Sequence, residues 1–411
     1  MRLLLLVLLF GGLSIGVGDR SPTILYLDLF LPLWLAYQIY FGNCIPDFRD
    51  RKTTYLAIAC FLAFLASAIA NPLDVFKSVA AIKIYCIGFL FYGLARRKPP
   101  SLLTLSLWGA AVGVLLLYNY IHTWANLIAT MNIVAVKDEV GITLGRSNYV
   151  ASILLMVIPL SIVTLPNESR KKRWVKFACC IVMILGLAST LSRGALAAEC
   201  VGLIICLPLM FRAGLKSRHF LAGAMVLGLV YLLLPSDILS ANTQLYELKF
   251  ANSDARRLDL MRETWMDFQA NPLLGVGPGQ LPTWIGLHAV EYEILGMNAH
   301  NLVLNALGEM GVLGGVPLLL IVALLLGRVW RNACALKTPL AVALCVSFTA
   351  VLLHNMVEAS FEGEQFQIVF WIIAALVPSG GEQQHIKNGS PVTSWLAGPA
   401  SGGRQPWTVL S

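Results

Sequence analysis

The feature that most constrains this chain is a series of long apolar runs separated by short polar loops. A helix needs about 20 apolar residues to cross the roughly 30 Å hydrocarbon layer of a bilayer, and about twelve runs approach that length. They lie at residues 1–18, 23–42, 52–70, 74–95, 101–121, 147–166, 175–191, 194–211, 219–234, 301–327, 338–357 and 365–378. The sequence therefore predicts an all-α fold, a polytopic membrane bundle of about 12 transmembrane helices.

The composition excludes a soluble globular protein of the ordinary kind. Of the 411 residues, 57% are hydrophobic and only 13% are charged, whereas soluble domains carry about 25% charged residues. The formal net charge of +8 does not indicate nucleic-acid binding, because Lys and Arg gather in the cytoplasmic loops of membrane proteins. We therefore expect membrane lipid around the chain and no nucleic-acid partner.

The basic residues fall in every second loop, and this alternation predicts the orientation of the chain. We assign the basic loops and both termini to the cytoplasm, and the loops between them to the other side of the membrane. The basic loops are 43–52, 96–100, 166–176, 212–219 and 328–338, and the outer loops include 122–146, 235–300 and 358–364.

The chain divides into a membrane bundle and a tail. We expect the bundle to cover residues 1–378. Residues 379–411 are rich in Gly, Ser, Pro and Gln and have no apolar periodicity, so they are predicted to form a disordered cytoplasmic tail. The nine cysteines include no C-x-x-C pair and do not indicate disulfides or a metal site.

The longest outer loop, 235–300, contains a predicted amphipathic helix over residues 254–268. We expect its apolar stripe to lie against the bilayer surface or the bundle, and its polar face to meet water. The apolar members are Leu258, Met261, Trp265 and Phe268, and the polar members are Arg256, Asp259, Glu263 and Asp267. Arg257 stands one turn before Met261, so its guanidinium should point toward the protein or the lipid headgroups.

Three motifs follow one another in the second half of the chain. The first is Thr190–Ala195 (TLSRGA), at a turn between two spans. The second is Arg257 followed by Pro272–Gly279 (PLLGVGPG), and the third is His300-Asn301 followed by Gly308–Gly314 (GEMGVLG). In this order, and with the long loop between two spans, the motifs resemble the O-antigen ligase and polymerase superfamily over about residues 186–330.

This resemblance implies a membrane glycosyltransferase of the bacterial inner membrane with its active site on the periplasmic side. Such a protein moves a glycan from an undecaprenyl pyrophosphate-linked donor to lipid A core, as a ligase, or to another growing glycan, as a polymerase. No metal, nucleotide or other cofactor is expected. No residue distinguishes the two acceptors; we take ligase as the expectation and polymerase as the alternative.

A membrane transporter or flippase is an alternative of another class. About twelve spans with both termini inside is a common carrier topology, and lipid-linked glycans also need to be moved across the bilayer. A carrier should show two halves that resemble each other. The sequence shows no six-plus-six repeat, and its polar motifs gather on one predicted face.

The resemblance assigns catalytic roles to three residues. His300 would accept the proton of the acceptor hydroxyl, which imidazole can do near neutral pH. Arg193 and Arg257 would hold the pyrophosphate, because a guanidinium binds phosphate oxygens in pairs and stabilises the charge that grows on the leaving group. The plainer alternatives are an interfacial anchor for Arg193 and a headgroup-binding residue for Arg257.

Four further residues are candidates for substrate binding. Arg256 is a possible third phosphate ligand, because the tryptophan that often stands four residues after the family's loop arginine is Met261 here. The choice between Arg256 and Arg257 as the loop clamp therefore stays open. The other candidates are Asn301, His354 and Lys83. Lys83 lies inside a predicted span, where it must face a polar cleft or extend to a membrane surface.

Overall fold

The computed structural model describes residues 45–48, 50–127, 145–165, 168–214, 243–288 and 297–378, with short pieces at 14–15, 24–25 and 141–142 and single residues between 33 and 40. The predicted spans 1–18 and 219–234, almost all of span 23–42 and the predicted tail 379–411 lie outside the described residues.

The described part of the chain is helical, which confirms the predicted fold class. Its helices are α1 (Arg51–Ala70), α2 (Val75–Arg97), α3 (Leu102–Leu127), α4 (Ser147–Ile162), α5 (Arg170–Ser189), α6 (Arg193–Arg212), α7 (Thr243–Ala270), α8 (Leu281–His288), α9 (Leu302–Leu336), α10 (Pro339–His354) and α11 (Glu364–Ala374). A 3-10 turn at Ser360–Glu362 precedes α11. Two antiparallel pairs of two-residue strands complete it, β1 (Ser14–Ile15) with β2 (Ile24–Leu25), and β3 (Gly141–Ile142) with β4 (Gly145–Arg146).

Five of the described helices are long and apolar enough to cross a membrane: α1, α2, α3, α6 and α9. The apolar helices α4, α10 and α11 are shorter, with 16, 16 and 11 residues. The structure therefore supports a multi-pass membrane protein. The count of about twelve spans stays a prediction, since several of them lie outside the described residues.

The short apolar helices form the centre of the bundle. Nearly all side chains of α4, α10 and α11 are buried, and α10 packs against α4, α6 and α9, while α11 packs on α2. The outer helices α1, α2, α3 and α6 keep many large apolar side chains exposed, as expected for helices that face lipid. A helix of 11 residues is only about 16 Å long, too short to cross the hydrocarbon layer by itself. All side chains of α11 are buried by neighbouring helices, so it does not need to match the thickness of the bilayer.

Helix α9 is broken at Gly311, where the backbone adopts φ 57° and ψ −161°. The turn that follows α7 occupies the break. Val276 and Gly277 donate backbone hydrogen bonds to the carbonyls of Gly308 and Glu309, both at 2.9 Å, and Val312 donates to the carbonyl of Pro272 at 2.8 Å. The break leaves backbone groups unpaired in the membrane region, where they must be satisfied by protein. The turn satisfies them.

Residues that the charge alternation assigns to one side of the membrane also meet in the structure. Asp50 of loop 43–52 pairs with Arg328, near the C-terminal end of α9. At the other end of α9, His300 of loop 235–300 contacts Glu358 of loop 358–364. The basic loops 43–52 and 328–338 therefore meet at one end of the bundle, and His300 and Glu358 of the outer loops meet at the other. Which end faces the cytoplasm stays a prediction from the basic residues.

Candidate active site

The site is built around the carboxylate of Glu358, which lies in the loop after α10. Its Oε1 is 2.9 Å from Nδ1 of His300, and its Oε2 accepts a 2.6 Å hydrogen bond from Nδ2 of Asn148 at the start of α4. Nη2 of Arg257, from α7, is 3.8 Å from Oε2. The side chain of Glu358 is only 3% exposed, whereas those of His300 and Arg257 are each 27% exposed. A buried carboxylate thus joins two partly accessible cationic or basic groups.

The charge state of Glu358 follows from these contacts. Burial by itself raises its pKa, but the hydrogen bond from His300 and the charges of His300, His354 and Arg257 lower the pKa from 4.5 to about 2. An ionised carboxylate can only accept hydrogen bonds. Nδ1 of His300 must therefore carry the proton, and Nε2 remains as the acceptor of the ring.

His300 is held in place by the start of α9. Its backbone has φ 49°, a left-handed conformation that is uncommon for a residue with a side chain. The next residue, Asn301, caps α9: its Oδ1 accepts from the backbone N–H groups of Val303 and Leu304 at 2.9 and 3.0 Å. Nδ2 of Asn301 donates to the carbonyl of Met356 at 2.9 Å. Asn301, predicted to bind substrate, thus uses both polar atoms to shape the site.

Arg257 reaches the site because α7 packs on α9. The face of α7 that packs was not predicted from the sequence. Leu260 and Thr264 are buried, whereas Leu258 and Trp265 of the predicted stripe are exposed and turned away from the bundle. Of the two surfaces proposed for the stripe, only the bilayer surface fits these two residues. The reason is local, because Leu260 packs on a small cluster formed by the following turn and α8: Val276, Leu281, Trp284 and Ile285.

The polar face of α7 also needs a correction at one position. Asp267 was expected to meet water, but its Oδ1 accepts a 2.9 Å hydrogen bond from the indole of Trp284 in α8. Burial raises the pKa of Asp267, and the Trp284 hydrogen bond acts in the opposite direction. Arg257 was predicted to point toward the protein or the lipid headgroups, and its contact with Glu358 agrees with the first alternative. Arg257, rather than Arg256, is the arginine that the structure brings to this carboxylate.

A buried layer lies behind Glu358. Nδ1 of His354 is 2.6 Å from the hydroxyl of Ser152, which is itself 2.6 Å from the hydroxyl of Ser360. His354 is 1% exposed and presents almost no surface to a ligand. It was predicted to bind substrate, whereas here it packs inside the bundle. It lies close enough to Glu358 to contribute to the lowered pKa of that carboxylate.

Arg193 lies at the same end of the bundle, where α6 begins. Ser192 caps this helix by accepting a 3.4 Å hydrogen bond from the backbone of Ala195. The neighbouring Gly194 packs on the His354 ring, since a Cβ added at Gly194 would lie 3.5 Å from Cδ2 of His354. The Arg193 side chain itself is exposed. The structure thus brings the start of α6 next to the layer behind Glu358.

Lys83, which was predicted to bind substrate, forms an ion pair between two helices. Its Nζ is 3.0 Å from Oε2 of Glu364, at the contact between α2 and α11. This ion pair explains how an ammonium group is tolerated within a predicted span. Lys77, six residues before Lys83 on α2, donates a 2.6 Å hydrogen bond to the hydroxyl of Thr283 in α8.

Comparison with known protein families agrees with the motifs. Residues 178–319 match the family model described as O-antigen ligase. The match over this part of the chain supports the O-antigen ligase and polymerase superfamily that the motifs resemble. The matched segment includes Arg193, Arg257 and His300, so the family's motifs and the geometry around Glu358 coincide. No curated protein matches the chain.

Two groups in the site lie outside the segment that matches the superfamily. Glu358 and Asn148 come from loop 358–364 and from the start of α4. The sequence analysis placed Glu358 in the outer loop 358–364 without assigning it a role of its own, and it did not single out Asn148. The alternation of basic loops did place both residues on the outer side. Their contact with the His300 region depends on how α4, α9 and α10 pack.

Proposed function

We propose that this membrane protein transfers a glycan from an undecaprenyl pyrophosphate-linked donor to an acceptor on the periplasmic side of the bacterial inner membrane. The observation that carries the proposal is the 2.9 Å hydrogen bond between His300 and Glu358, with Arg257 beside the same carboxylate. The match of residues 178–319 to the O-antigen ligase family supports a membrane glycosyltransferase.

His300 is the proposed base. With Nδ1 held by Glu358, Nε2 accepts the proton of the acceptor hydroxyl as its oxygen bonds to the anomeric carbon of the donor sugar. The bond between that carbon and the pyrophosphate oxygen breaks at the same centre, and lipid pyrophosphate leaves with the electron pair. The ionised Glu358 stabilises the imidazolium that forms and keeps the ring in the productive tautomer, the role that a carboxylate has beside a catalytic histidine in hydrolases.

Arg257 and Arg193 are the proposed ligands of the pyrophosphate. Both belong to the same end of the bundle as His300, and both come from elements fixed by packing, α7 and the start of α6. Guanidinium groups bind phosphate oxygens in pairs and stabilise charge on the leaving group. The start of α6 adds the partial positive charge of a helix N-terminus. In this proposal Arg256 is a secondary phosphate contact and metal ions have no part.

The acceptor is the finer part of the proposal. We propose lipid A core as the acceptor, which makes the protein an O-antigen ligase, and a growing glycan as the alternative, which makes it a polymerase. The transporter alternative gains no support from the break in α9, a feature that in carriers often marks a substrate site. Here backbone from residues 272–277 fills the break.

The test is glycan transfer by the purified protein in liposomes, with undecaprenyl pyrophosphate-linked glycan as donor. His300→Ala should reduce transfer by at least about 100-fold, the usual contribution of a general base, while the donor remains unused. His288→Ala is the matched control, because His288 lies on α8, on the same predicted side, and is exposed. Wild-type transfer by a folded His300→Ala variant would refute the assignment.

The same assay separates ligase from polymerase. Supplying lipid A core should yield core-linked glycan if the protein is a ligase, whereas donor alone should yield longer lipid-linked chains if it is a polymerase. Movement of intact donor across the liposome bilayer without any new glycosidic bond would favour the transporter alternative.

A further inference from the structure

Next to the His300 segment lies a pocket with a few polar groups in a largely apolar lining, which the proposed chemistry does not use. Its volume is about 210 Å³, and it lies between α2, the 272–280 turn and the start of α9. The lining residues are Lys77, Ala80, Ala81, Ile84, Tyr85, Gly279, Pro282, Asn298, Glu309 and Glu362. A single water needs only roughly 10–15 Å³ of such space, so the pocket has room for a larger ligand.

The pocket shares a wall with the site. Asn298 lines it and lies two residues before His300, and Glu362 lines it four residues after Glu358. Asn298 and Asn305 both donate amide hydrogen bonds to Glu362, the second at 2.6 Å. A group bound in this pocket would therefore lie beside the segment that carries the proposed base.

The hydrogen-bonding groups of the pocket are acceptors and donors in fixed positions. The Glu309 carboxylate lies close to the backbone N–H groups of Gly279 and Leu281 at the wall of the pocket. Within the described part of the chain, the buried Oδ1 of Asn298 has no hydrogen-bond partner. The half-exposed Lys77 supplies a cationic donor. Tyr85 adds an aromatic ring, and Ala80, Ala81 and Ile84 add apolar surface.

This combination suits a sugar ring. A sugar presents hydroxyl groups around its edge and C–H groups on its faces, so it needs both hydrogen-bonding groups and an aromatic or apolar wall. Burial and the neighbouring Glu309 raise the pKa of Glu362 well above its usual range, which lowers the negative charge of the pair. The carboxylate of the pair that stays ionised still disfavours an anionic ligand. The pyrophosphate belongs with the arginines rather than here.

We propose that the pocket lined by Tyr85, Asn298, Glu309 and Glu362 is a subsite for one uncharged or amino sugar of a substrate glycan. The inference rests on the proposed function and adds a specificity-determining site to it. The subsite would select against uronic acids, because a carboxylate on the sugar would face the carboxyl groups of the wall.

Binding of simple sugars tests the pocket without the transfer reaction. The probes are methyl glucoside, the methyl glycoside of glucosamine and methyl glucuronide, added to the purified chain in nanodiscs and followed by saturation-transfer NMR. We expect signals from the first two probes and at least about tenfold weaker binding of the glucuronide, as a like-charge contact predicts. Equal binding of all three probes, or binding of none, would overturn the proposal.

A matched pair of substitutions locates the binding. Ala80→Phe fills the pocket, whereas Val79→Phe places the same side chain on the adjacent exposed position, which does not line it. Ala80→Phe should weaken binding by at least about tenfold, because the ring occupies the space of the ligand, and Val79→Phe should leave it unchanged. Ala80→Leu is a second filling variant in case the phenylalanine variant does not fold, and melting temperatures check all three. Equal binding by folded variants and wild type would overturn the proposal.

The failure of this inference is distinguishable from failure of the proposed function. Transfer that is lost in His300→Ala but keeps its wild-type KM values in Ala80→Phe would remove the subsite and leave the proposed function standing. The opposite result is also possible: the wild-type protein binds sugar but transfers no glycan, and Ala80→Phe removes the binding. That result would remove the proposed function and leave the subsite standing.

Discussion

Glu358 accepts a hydrogen bond from Nδ1 of His300 over 2.9 Å, although the two residues are 58 positions apart in the chain. The same carboxylate binds Asn148, 210 positions away, at 2.6 Å. A base, a carboxylate that orients it, an amide that binds the carboxylate and a nearby arginine therefore come from four separate parts of the chain. Their arrangement leads to testable consequences beyond the loss of His300 itself.

Glu358→Gln should lower kcat for glycan transfer by at least about tenfold, because the neutral amide no longer stabilises the imidazolium or fixes its tautomer. KM for the donor should change little, since Glu358 is too buried to touch it. Steady-state kinetics measures both. Glu263→Gln, on the wet face of α7, is the control, and a folded Glu358→Gln variant with wild-type kcat would contradict the positioning role.

Arg257→Lys and Arg193→Lys should each reduce transfer by roughly 10–100-fold, because lysine keeps the charge but loses the paired contact with phosphate oxygens. The control is Arg262→Lys on the same helix as Arg257, since Arg262 is 80% exposed. Initial rates at several donor concentrations measure the effect. Equal tolerance of all three substitutions would mean that the two arginines act as general positive charges at the membrane surface.

The stability of the protein should fall between about pH 4.5 and pH 2 in a way that depends on Glu358. Its folded pKa of about 2 lies below the ordinary value of 4.5, so the unfolded chain binds the proton first and acid favours unfolding. The difference of 2.5 units corresponds to a contribution of up to about 3 kcal/mol, present above pH 4.5 and lost as the pH falls through 2.

Melting temperatures at pH 6, 4 and 3 check this in detergent-solubilised protein. The loss should be smaller in Glu358→Gln than in wild type. Burial would raise the pKa of Asp50, but Arg328 and its other hydrogen-bond partners lower that pKa to about 2. Asp50 therefore titrates in the same pH range in both proteins. Parallel pH curves for the two proteins would show that Glu358 is not the group responsible.

Gly311→Ala and Gly275→Ala should each destabilise the protein by more than about 2 kcal/mol. Both glycines have positive φ, which costs an alanine about 1–2 kcal/mol by itself. A Cβ at Gly311 would also lie 2.3 Å from the carbonyl carbon of Leu273, so the turn would leave the break in α9. Gly327→Ala is the control, because a Cβ there meets nothing within 4 Å. Thermal unfolding and folded yield measure the difference, and equal stability of the three variants would contradict the role of the turn.

Cysteine labelling tests the orientation. In a background without native cysteines, Leu287→Cys should react with a membrane-impermeant reagent in intact cells, whereas Lys172→Cys should react only after permeabilisation. Both positions are exposed in the structure, unlike the buried Ile285 on the same helix as Leu287. Labelling of Lys172→Cys in intact cells would reverse the assigned orientation and with it the periplasmic site.

Much of this protein follows from short-range sequence features. Runs of apolar residues determine that the chain forms membrane helices, because each helix satisfies its own backbone in lipid. The alternation of basic loops put Arg257, His300 and Glu358 on one side before their contacts were known. The motifs around Arg193 and His300 predicted the superfamily whose family model matches residues 178–319, and the helical spacing of Arg257 relative to Met261 predicted that it points toward the protein or the lipid headgroups.

Other features were decided only by tertiary packing. Nothing local to Glu358 indicates that it would meet His300, since that contact requires α9 and α10 to pack and the 355–359 turn to face the start of α9. The face of α7 that packs was set by the cluster around Leu260, which the hydrophobic stripe did not indicate. The turn that fills the break in α9 is held by backbone hydrogen bonds between residues about 35 positions apart. Backbone groups are the same in every residue, so the pattern of side chains cannot predict such pairing.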